Sequence, residues 1–383
     1  MKITDLKTFV VESSSRNYRN YVFVKVSTDQ HIYGWGEATI EGKERTVVQA
    51  IADLADYLVG KDPFRIEEHW YRMYRHAFWT GGALLNTAIS GVEQALWDIK
   101  GKALGVPVYE LIGGQMRERI RVYANGWFLG CRTPKEFARA AERTVKEGFD
   151  ALKWDPFGSS GLFISPEQAR LAVKCVEEVR SAVGPDVELL VEVHGRLSPA
   201  NAIRIGNEMA EYRPYCFEEP VPPENVDAMA LVARSIPIPV ATGERLYTKW
   251  GFKDVLEKQA AAIIQPDPCH AGGILELKKI AAMAEVHYVG LAPHNSTGPV
   301  CTAVCLHIDA STPNFAIQEL HVGDWERIQS IQKGEFILKD GCVDVPKLPG
   351  LGIDLDEKEL AKYPFQPHDM AGMFDPAGDL QPD

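Results

Sequence analysis

Ionisable side chains recur at nearly regular intervals through the second half of the chain. Consecutive members of the series lie 23 to 27 residues apart: Glu192, Glu218, Glu244, Asp267, His294 and Glu319. In a barrel of parallel strands, one strand, one helix and two loops together take up roughly that length. Active sites of such barrels form at the carboxyl ends of the strands. We therefore expect these side chains to end successive strands and to face one pocket.

The glutamates Glu192, Glu218 and Glu244 suit a hard divalent cation. Mg²⁺ prefers oxygen ligands and keeps some coordination positions for water or substrate. A single glutamate at a strand end is more often part of a salt bridge, whereas three on consecutive strands favour a metal site. The sequence therefore predicts one Mg²⁺ per subunit, with a substrate carboxylate taking the free positions.

Two histidines, His194 and His294, belong to the same series of strand ends. Asp267 precedes His294 by one β–α unit, so a carboxylate should fix the tautomer of this imidazole and raise its basicity. Lys153 and Asp155 follow another strand in the same way. We predict catalytic roles for both histidines. Seven other histidines are interpreted as structural or surface residues: His31, His69, His270, His287, His307, His321 and His368.

The elements that must position these groups follow from a change of pattern near residue 119. From there, eight short runs typical of strands alternate with helical stretches: Ile120–Tyr123, Ala151–Lys153, Leu189–Val193, Tyr215–Phe217, Ile238–Ala241, Ala262–Gln265, Val289–Ala292 and Phe315–Gln318. Such alternation predicts parallel β–α units, and eight units predict an α/β fold with a closed (β/α)₈ barrel of the TIM type over residues 119–323. Residues 1–118 are expected to form an α+β domain. The turn-rich tail, residues 324–383, is expected to pack back on that domain.

The bulk composition excludes several classes of protein. The net charge is −12 and there is no basic stretch, which argues against a nucleic-acid partner. No apolar run reaches the roughly 18 residues of a membrane helix, so no membrane association is expected. Seven scattered cysteines without a CxxC pair predict reduced thiols in a cytoplasmic protein. Phosphate-loop, GxGxxG, HExxH and GxSxG motifs are absent from the sequence.

These residues resemble a known family over essentially the whole chain. The chain is similar to the enolase superfamily, in its mandelate-racemase-like group, and most of all to the gluconate and galactonate dehydratases. The segments that carry the resemblance are Gly91–Lys102, Tyr123–Trp127, Lys153–Gly158, Glu192–Arg196, Phe217–Val221, Ala241–Arg245, Gln265–Asp267 and Ala292–His294.

The resemblance implies a capping domain built from the N-terminal segment and the tail. It also implies metal ligands at Glu192, Glu218 and Glu244, an Asp267–His294 pair, and a Glu319 that hydrogen-bonds the substrate carboxylate. Relatives are commonly dimers or octamers, which implies a homo-oligomer. Two positions depart from the wider family. The first metal ligand is Glu192 where Asp is more common, and Asp155 replaces a second lysine that racemases carry.

The predicted reaction is dehydration of an aldonic sugar acid to a 2-keto-3-deoxy acid. His294 takes the C2 proton, and a protonated His194 donates to the departing C3 hydroxyl. Lys153 and a protonated Glu319 would donate hydrogen bonds to the enediolate. Four residues are predicted to contact the substrate: Arg16, Tyr18, Trp79 and Asp155.

Two other functions stay open from the sequence. A sugar-acid epimerase or cycloisomerase would use the same metal and enediolate, with His194 returning a proton to C2. A non-catalytic sugar-acid binding protein would keep the pocket without turnover. The intact set of ligands and bases argues against the latter.

Overall fold

The computed structural model describes residues 1–13, 19–75, 78–334 and 336–368. Its N-terminal part has an antiparallel sheet in the order β1-β2-β3, covered by helices. The strands are β1 (Ile3–Glu12), β2 (Asn20–Thr28) and β3 (Tyr33–Glu37), and the helices are α1 (Glu44–Leu58), α2 (Ile66–Arg75), α3 (Ala83–Leu104) and α4 (Val108–Leu111). This part is the α+β cap that the sequence predicts.

Eight parallel strands form the barrel, and the first seven pair with one another in chain order. They are β4 (Arg119–Asn125), β5 (Ala151–Trp154), β6 (Glu188–Glu192), β7 (Cys216–Glu218), β8 (Val240–Thr242), β9 (Ile263–Ile264), β10 (Gly290–Leu291) and β11 (Gln318–His321). The ring closes because β11 pairs with β4 and Leu291 bridges to Phe315. The predicted α/β barrel is confirmed.

The helices that alternate with these strands surround the barrel. They are α5 (Pro134–Lys146), α6 (Pro166–Val183), α7 (Pro199–Met209), α8 (Val226–Ser235), α9 (Thr248–Glu257), α10 (Ile274–Val286) and α11 (Pro299–Ala310), with a short 3₁₀ helix at Ala210–Tyr212. Several begin at sequence signals: Thr133, Ser165 and Ser198 each cap a helix whose next residue is proline. No helix among the described residues combines the length and apolarity that crossing a membrane requires.

The eighth predicted run begins three residues before β11. Phe315 and Ala316 pair only with β10, through the bond from the Ala316 N–H to the Leu291 carbonyl, 2.8 Å. Continuous pairing with β4 starts at Gln318. The run Phe315–Gln318 therefore covers the segment that closes the barrel rather than the whole strand.

The tail contacts both the cap and the barrel. Its elements are α12 (Trp325–Ile331), β12 (Gln332–Lys333), β13 (Leu338–Lys339), β14 (Cys342–Asp344), β15 (Asp354–Leu355) and α13 (Glu357–Leu360). Asp354 accepts hydrogen bonds from Tyr33 Oη at 2.7 Å and Trp35 Nε1 at 2.6 Å, both on β3. β14 also pairs antiparallel with β4, at the amino end of the barrel's first strand. The tail thus links the cap sheet to the barrel.

Close contact between β3 and α3 depends on glycine. A Cβ at Gly34 would overlap the carbonyl oxygen of Ala95, and a Cβ at Gly36 would overlap that of Gly91. Both obstacles are helix backbone, which cannot move aside like a flexible side chain. The two glycines therefore set the distance between the cap sheet and its central helix.

We expect Gly36→Ala to lower the free energy of unfolding by about 2–3 kcal/mol, the upper range for overpacking a filled core. Gly161→Ala is the matched control, because a Cβ there meets no atom within 4 Å. This control should change stability by less than about 0.5 kcal/mol. Urea unfolding followed by circular dichroism measures both variants, and equal midpoints would contradict the role given to Gly36.

Candidate active site

Three carboxylates converge at the carboxyl ends of adjacent barrel strands. Glu192 and Glu218 are the last residues of β6 and β7, where they stand opposite each other in register. Glu244 lies two residues beyond the end of β8. One oxygen from each lies within 4.8 Å of the other two. The structure therefore brings the three predicted ligands together.

The donor set fits a hard divalent cation. Glu192 Oε2 and Glu218 Oε2 are buried and have no hydrogen-bond partner among the described residues. Burial, and then the charge of Glu218, raise the pKa of Glu192 well above its usual range. Buried anionic oxygens without partners are costly, and a divalent ion with oxygen ligands relieves both the desolvation and the repulsion. The cluster could therefore hold a metal ion.

Lys153 supplies fixed positive charge beside this cluster. Its Nζ lies 2.8 Å from Glu218 Oε1, 3.2 Å from Glu319 Oε1 and 3.5 Å from Glu192 Oε2. Burial opposes its charge, but these carboxylates raise its pKa well above the usual value. Lys153 is therefore a buried cation at the centre of the site.

His294 is paired with Asp267, as the sequence predicts. Its Nδ1 lies 2.6 Å from Asp267 Oδ2, while its Nε2 lies 3.2 Å from Glu244 Oε2. Burial opposes the charged imidazole, but Glu319, Glu244 and Asp267 raise its pKa to about 10. The Asp267 bond leaves Nε2 facing the carboxylate cluster.

His194 has a carboxylate partner of its own, which is Asp155. Its Nδ1 lies 2.6 Å from Asp155 Oδ2, and Arg196 donates to the same oxygen. The other oxygen of Asp155 accepts the Phe157 N–H at 2.8 Å. Burial raises the pKa of Asp155, but His194 and Arg196 lower it below the usual value. Asp155 therefore holds His194 in place, and its predicted contact with substrate stays a prediction.

Glu319 is surrounded by groups that donate to it. Asn125 Nδ2 donates to Oε1 at 2.7 Å, and the Asn295 N–H donates to Oε2 at 2.8 Å. Burial raises its pKa, but Lys153 and His294 bring it down to about 2. The prediction of a protonated Glu319 is wrong for this arrangement, since both oxygens act as acceptors.

Three cap residues, Arg16, Tyr18 and Trp79, are predicted from the sequence to contact the substrate. Arg16 and Tyr18 lie outside the described residues. Trp79 is 80% exposed and its ring contacts Phe78 edge-on, and its predicted contact with substrate stays a prediction. Arg19 does reach the barrel, where it donates to the Ser296 carbonyl beside the His294 loop.

Two further polar residues lie at the site without having been predicted. Asn125 ends β4, the one strand end with no ionisable group, and a search for neutral donors at strand ends would have found it. His270 accompanies Asp267, with its Nε2 3.9 Å from Asp267 Oδ2 and its Nδ1 2.8 Å from Thr87 Oγ1 of the cap. Its contacts depend on the cap, and no local sequence signal predicts them.

Fold and site together define a (β/α)₈-barrel enzyme with a carboxylate cluster flanked by two carboxylate–imidazole pairs. Residues 2–113 match the mandelate racemase / muconate lactonizing enzyme N-terminal domain, and residues 136–359 match the enolase C-terminal domain-like family. The chain belongs to the mandelate racemase / muconate lactonizing enzyme family of the enolase superfamily. The predicted family is confirmed.

Relatives and solved structures agree with this assignment. The D-galactonate dehydratase of Ralstonia pickettii (strain 12J) is 43% identical over 363 residues, 93% of each chain. That of Pectobacterium atrosepticum is 41% identical, over 94% of this chain and 93% of the relative. An enolase superfamily member from Salmonella Typhimurium superposes with a TM-score of 0.90 at 36% identity, over 95% and 98% of the two chains. A mandelate racemase/muconate lactonizing enzyme from Sulfitobacter sp. gives 0.91 at 38%, over 96% of each. The predicted class, a hydro-lyase, is confirmed by these relatives.

We expect binding of a divalent cation at the cluster to release protons. Burial and the charge of Glu218 raise the pKa of Glu192 and so favour its protonated form, whereas the cation binds only the ionised form. Affinity for Mg²⁺ should therefore rise with pH. Titration calorimetry in two buffers of different ionisation enthalpy measures the proton release.

Glu192→Gln is the control for this measurement, since it carries no proton to release at that position. A proton count that stays the same in wild type and Glu192→Gln would contradict the assignment.

Proposed function

We propose that the chain is a Mg²⁺-dependent dehydratase of an aldonic sugar acid, of the gluconate or galactonate type, giving a 2-keto-3-deoxy acid. The observation that carries the proposal is the pair of imidazoles flanking the carboxylate cluster. In the strand order, Asp155 and His194 follow β5 and β6, whereas Asp267 and His294 follow β9 and β10. An elimination that takes a proton from one carbon and gives one to the neighbouring hydroxyl needs two such groups.

Glu192, Glu218 and Glu244 would hold one Mg²⁺ per subunit. When bound, the ion supplies Lewis-acid stabilisation of the charge that builds up on the substrate carboxylate. The names of the curated relatives support this substrate class, because they act on D-galactonate. Lys153, a buried cation 3.2 Å from Glu319, adds positive charge beside the three carboxylates.

His294 is assigned as the base. Its Nε2 accepts the C2 proton, while Asp267 holds Nδ1–H and stabilises the imidazolium that forms. The high pKa of His294 arises largely from Glu319 and Glu244. A divalent ion held by Glu244 would offset that charge, which would lower the pKa of His294 and favour its neutral form.

His194 is assigned as the acid. Asp155 orients its Nδ1–H, so that Nε2 can deliver a proton to the C3 hydroxyl, which leaves as water. The resulting enol then tautomerises to the 2-keto acid. Asp155 and Arg196 act in this proton donation through His194.

A second function, epimerisation at C2, is also favoured by one observation. Both imidazoles are backed by a carboxylate, and a two-base transfer across C2 needs that feature. Incubation of the enzyme and Mg²⁺ with C5 and C6 aldonates and aldarates separates the two reactions. Dehydration yields a 2-keto acid that reacts with semicarbazide, whereas epimerisation yields none. Binding without turnover or C2 exchange would favour the non-catalytic alternative.

We include a homo-oligomer, a dimer or an octamer, in the proposal. Phe78 and Trp79 are 90% and 80% exposed on the cap, and exposed aromatic rings of this size favour contact with another subunit. Light scattering of the purified protein tests the subunit number.

We expect His294→Asn and His194→Asn to separate the two proton transfers. His294→Asn should abolish exchange of the C2 proton with deuterium from solvent, because the base is lost. His194→Asn should lower dehydration by about 10²–10⁴-fold, the usual contribution of general acid catalysis, and retain C2 exchange. ¹H NMR of the substrate in D₂O measures both.

His31→Asn, in the cap turn between β2 and β3, is the control and should behave as wild type. Dehydration at the wild-type rate by either site variant would overturn the role assigned to that histidine.

A further inference from the structure

The last residue of β3, Glu37, reaches from the cap into the barrel. It is completely buried. Its Oε1 accepts the Gly298 N–H at 2.6 Å and its Oε2 accepts the Cys301 N–H at 2.9 Å. Thr39 Oγ1 donates a third bond to Oε1, 2.7 Å. All three donors hold the carboxylate at the start of α11.

The start of α11 lacks a cap from its own sequence. Gly298 is the N-cap and has no side chain to accept a bond, and Pro299 follows it. Every residue of α11 is buried, so water cannot satisfy its first N–H groups. The Glu37 carboxylate supplies both the acceptor and the negative charge that favour a helix N-terminus.

His294 lies four residues before Gly298, in a loop that side-chain hydrogen bonds hold in place. Asn295 Nδ2 donates to Thr302 Oγ1 in the first turn of α11, 3.0 Å, and Thr297 Oγ1 donates to Asn295 Oδ1, 3.2 Å. The loop is therefore fastened to the same turn that Glu37 holds. A shift of that turn would be passed on to His294.

The backbone of Glu37 is also linked, through Gln94, to the loop that carries Asp267, the partner of His294. Its N–H donates to Gln94 Oε1 at 2.9 Å, and Gln94 Nε2 donates to the Pro268 carbonyl at 2.8 Å. Pro268 directly follows Asp267. One cap residue thus supports both loops that carry the Asp267–His294 pair.

We propose that Glu37 is a positioning residue for the Asp267–His294 pair, through which the cap sets the orientation of the base. The inference rests on the proposed function in taking His294 as the group that accepts the C2 proton. Glu37 lies beneath the loops and acts through their backbone.

Gly298 offers a second way to disturb the same contact. A Cβ at this position would lie 2.8 Å from Glu37 Oε1, closer than Cβ atoms approach other atoms. Gly298→Ala therefore displaces the carboxylate without removing it. It should reproduce the effect of changing Glu37.

Glu93 provides the matched control. It is also a completely buried cap carboxylate, and it accepts the N–H groups of Ile274 and Leu275, at 2.7 and 3.0 Å, at the start of α10. That helix begins seven residues after Asp267, in the connection from β9 to α10, which does not carry His294. Glu93→Ala therefore removes a similar interdomain contact without releasing the His294 loop.

The kinetic test compares the variants on an aldonate that the wild type dehydrates. Glu37→Ala should lower kcat about 100-fold, the cost of a misplacement of about 1 Å, and leave KM within about 3-fold. Glu37→Gln keeps one acceptor oxygen and should retain more activity than Glu37→Ala. Glu93→Ala should lower kcat by less than about 5-fold, because it leaves the His294 loop held in place. Equal losses in Glu37→Ala and Glu93→Ala would overturn the proposal.

A second readout needs no turnover. Both His294 and His194 have an Nδ1 proton in a 2.6 Å bond to a carboxylate, and such protons give low-field NMR signals that His→Gln variants assign. In Glu37→Gln and Gly298→Ala, the His294 signal should move upfield and exchange faster with water. The His194 signal, from across the carboxylate cluster, should stay unchanged. An unmoved His294 signal would overturn the inference even if no sugar acid is turned over.

Discussion

Repulsion among three carboxylates in one buried space is the constraint on which the rest of the site depends. Glu192 and Glu218 end β6 and β7, and Glu244 lies two residues beyond β8, so the fold holds their backbones close together. Parallel strands place their last residues at one edge, which makes the crowding a direct result of the fold. Basic side chains offset this repulsion: Lys153 forms ion pairs with Glu192 and Glu218, and His294 lies beside Glu244. A divalent ion bound by these oxygens would complete the compensation.

The cap takes part in the same site through hydrogen bonds to backbone groups of the barrel. Helices α10 and α11 begin inside the molecule, at the end of the barrel where the chemistry lies, and their first N–H groups need acceptors. Glu93 and Glu37 provide these from the cap. Burial raises the pKa of each to about 7, against the hydrogen bonds that lower it. The cap is therefore bonded to the loops that carry Asp267 and His294.

Much of the site could be predicted because strand ends in a barrel are set by a repeating pattern. Glu192, Glu218, Glu244, His294 and Asp267 all follow from that pattern. The partner of His194 was missed because Asp155 was compared with a lysine of other enzymes instead of with Asp267, which stands in the same relation to His294.

Other features depend on contacts that no local pattern contains. The ionised state of Glu319 depends on a sum of charges from β5 and the His294 loop, and the bonds made by Glu37 join residues 261 and 264 positions apart. The contact of the tail with β4 likewise joins distant segments. Only the folded chain reveals such partners.

The two carboxylate–imidazole pairs have similar geometry, but the charged groups around them differ. Each Nδ1 lies 2.6 Å from its aspartate, but the Nε2 of His294 faces Glu244 and Glu319, whereas Arg196 shares the oxygen that holds His194. Negative surroundings favour taking up a proton from carbon, and only the His294 pair has them. A racemase or epimerase that works in both directions gains from two equivalent bases. The asymmetry found here instead suits one proton accepted at C2 and another donated at C3, which is the requirement of an elimination.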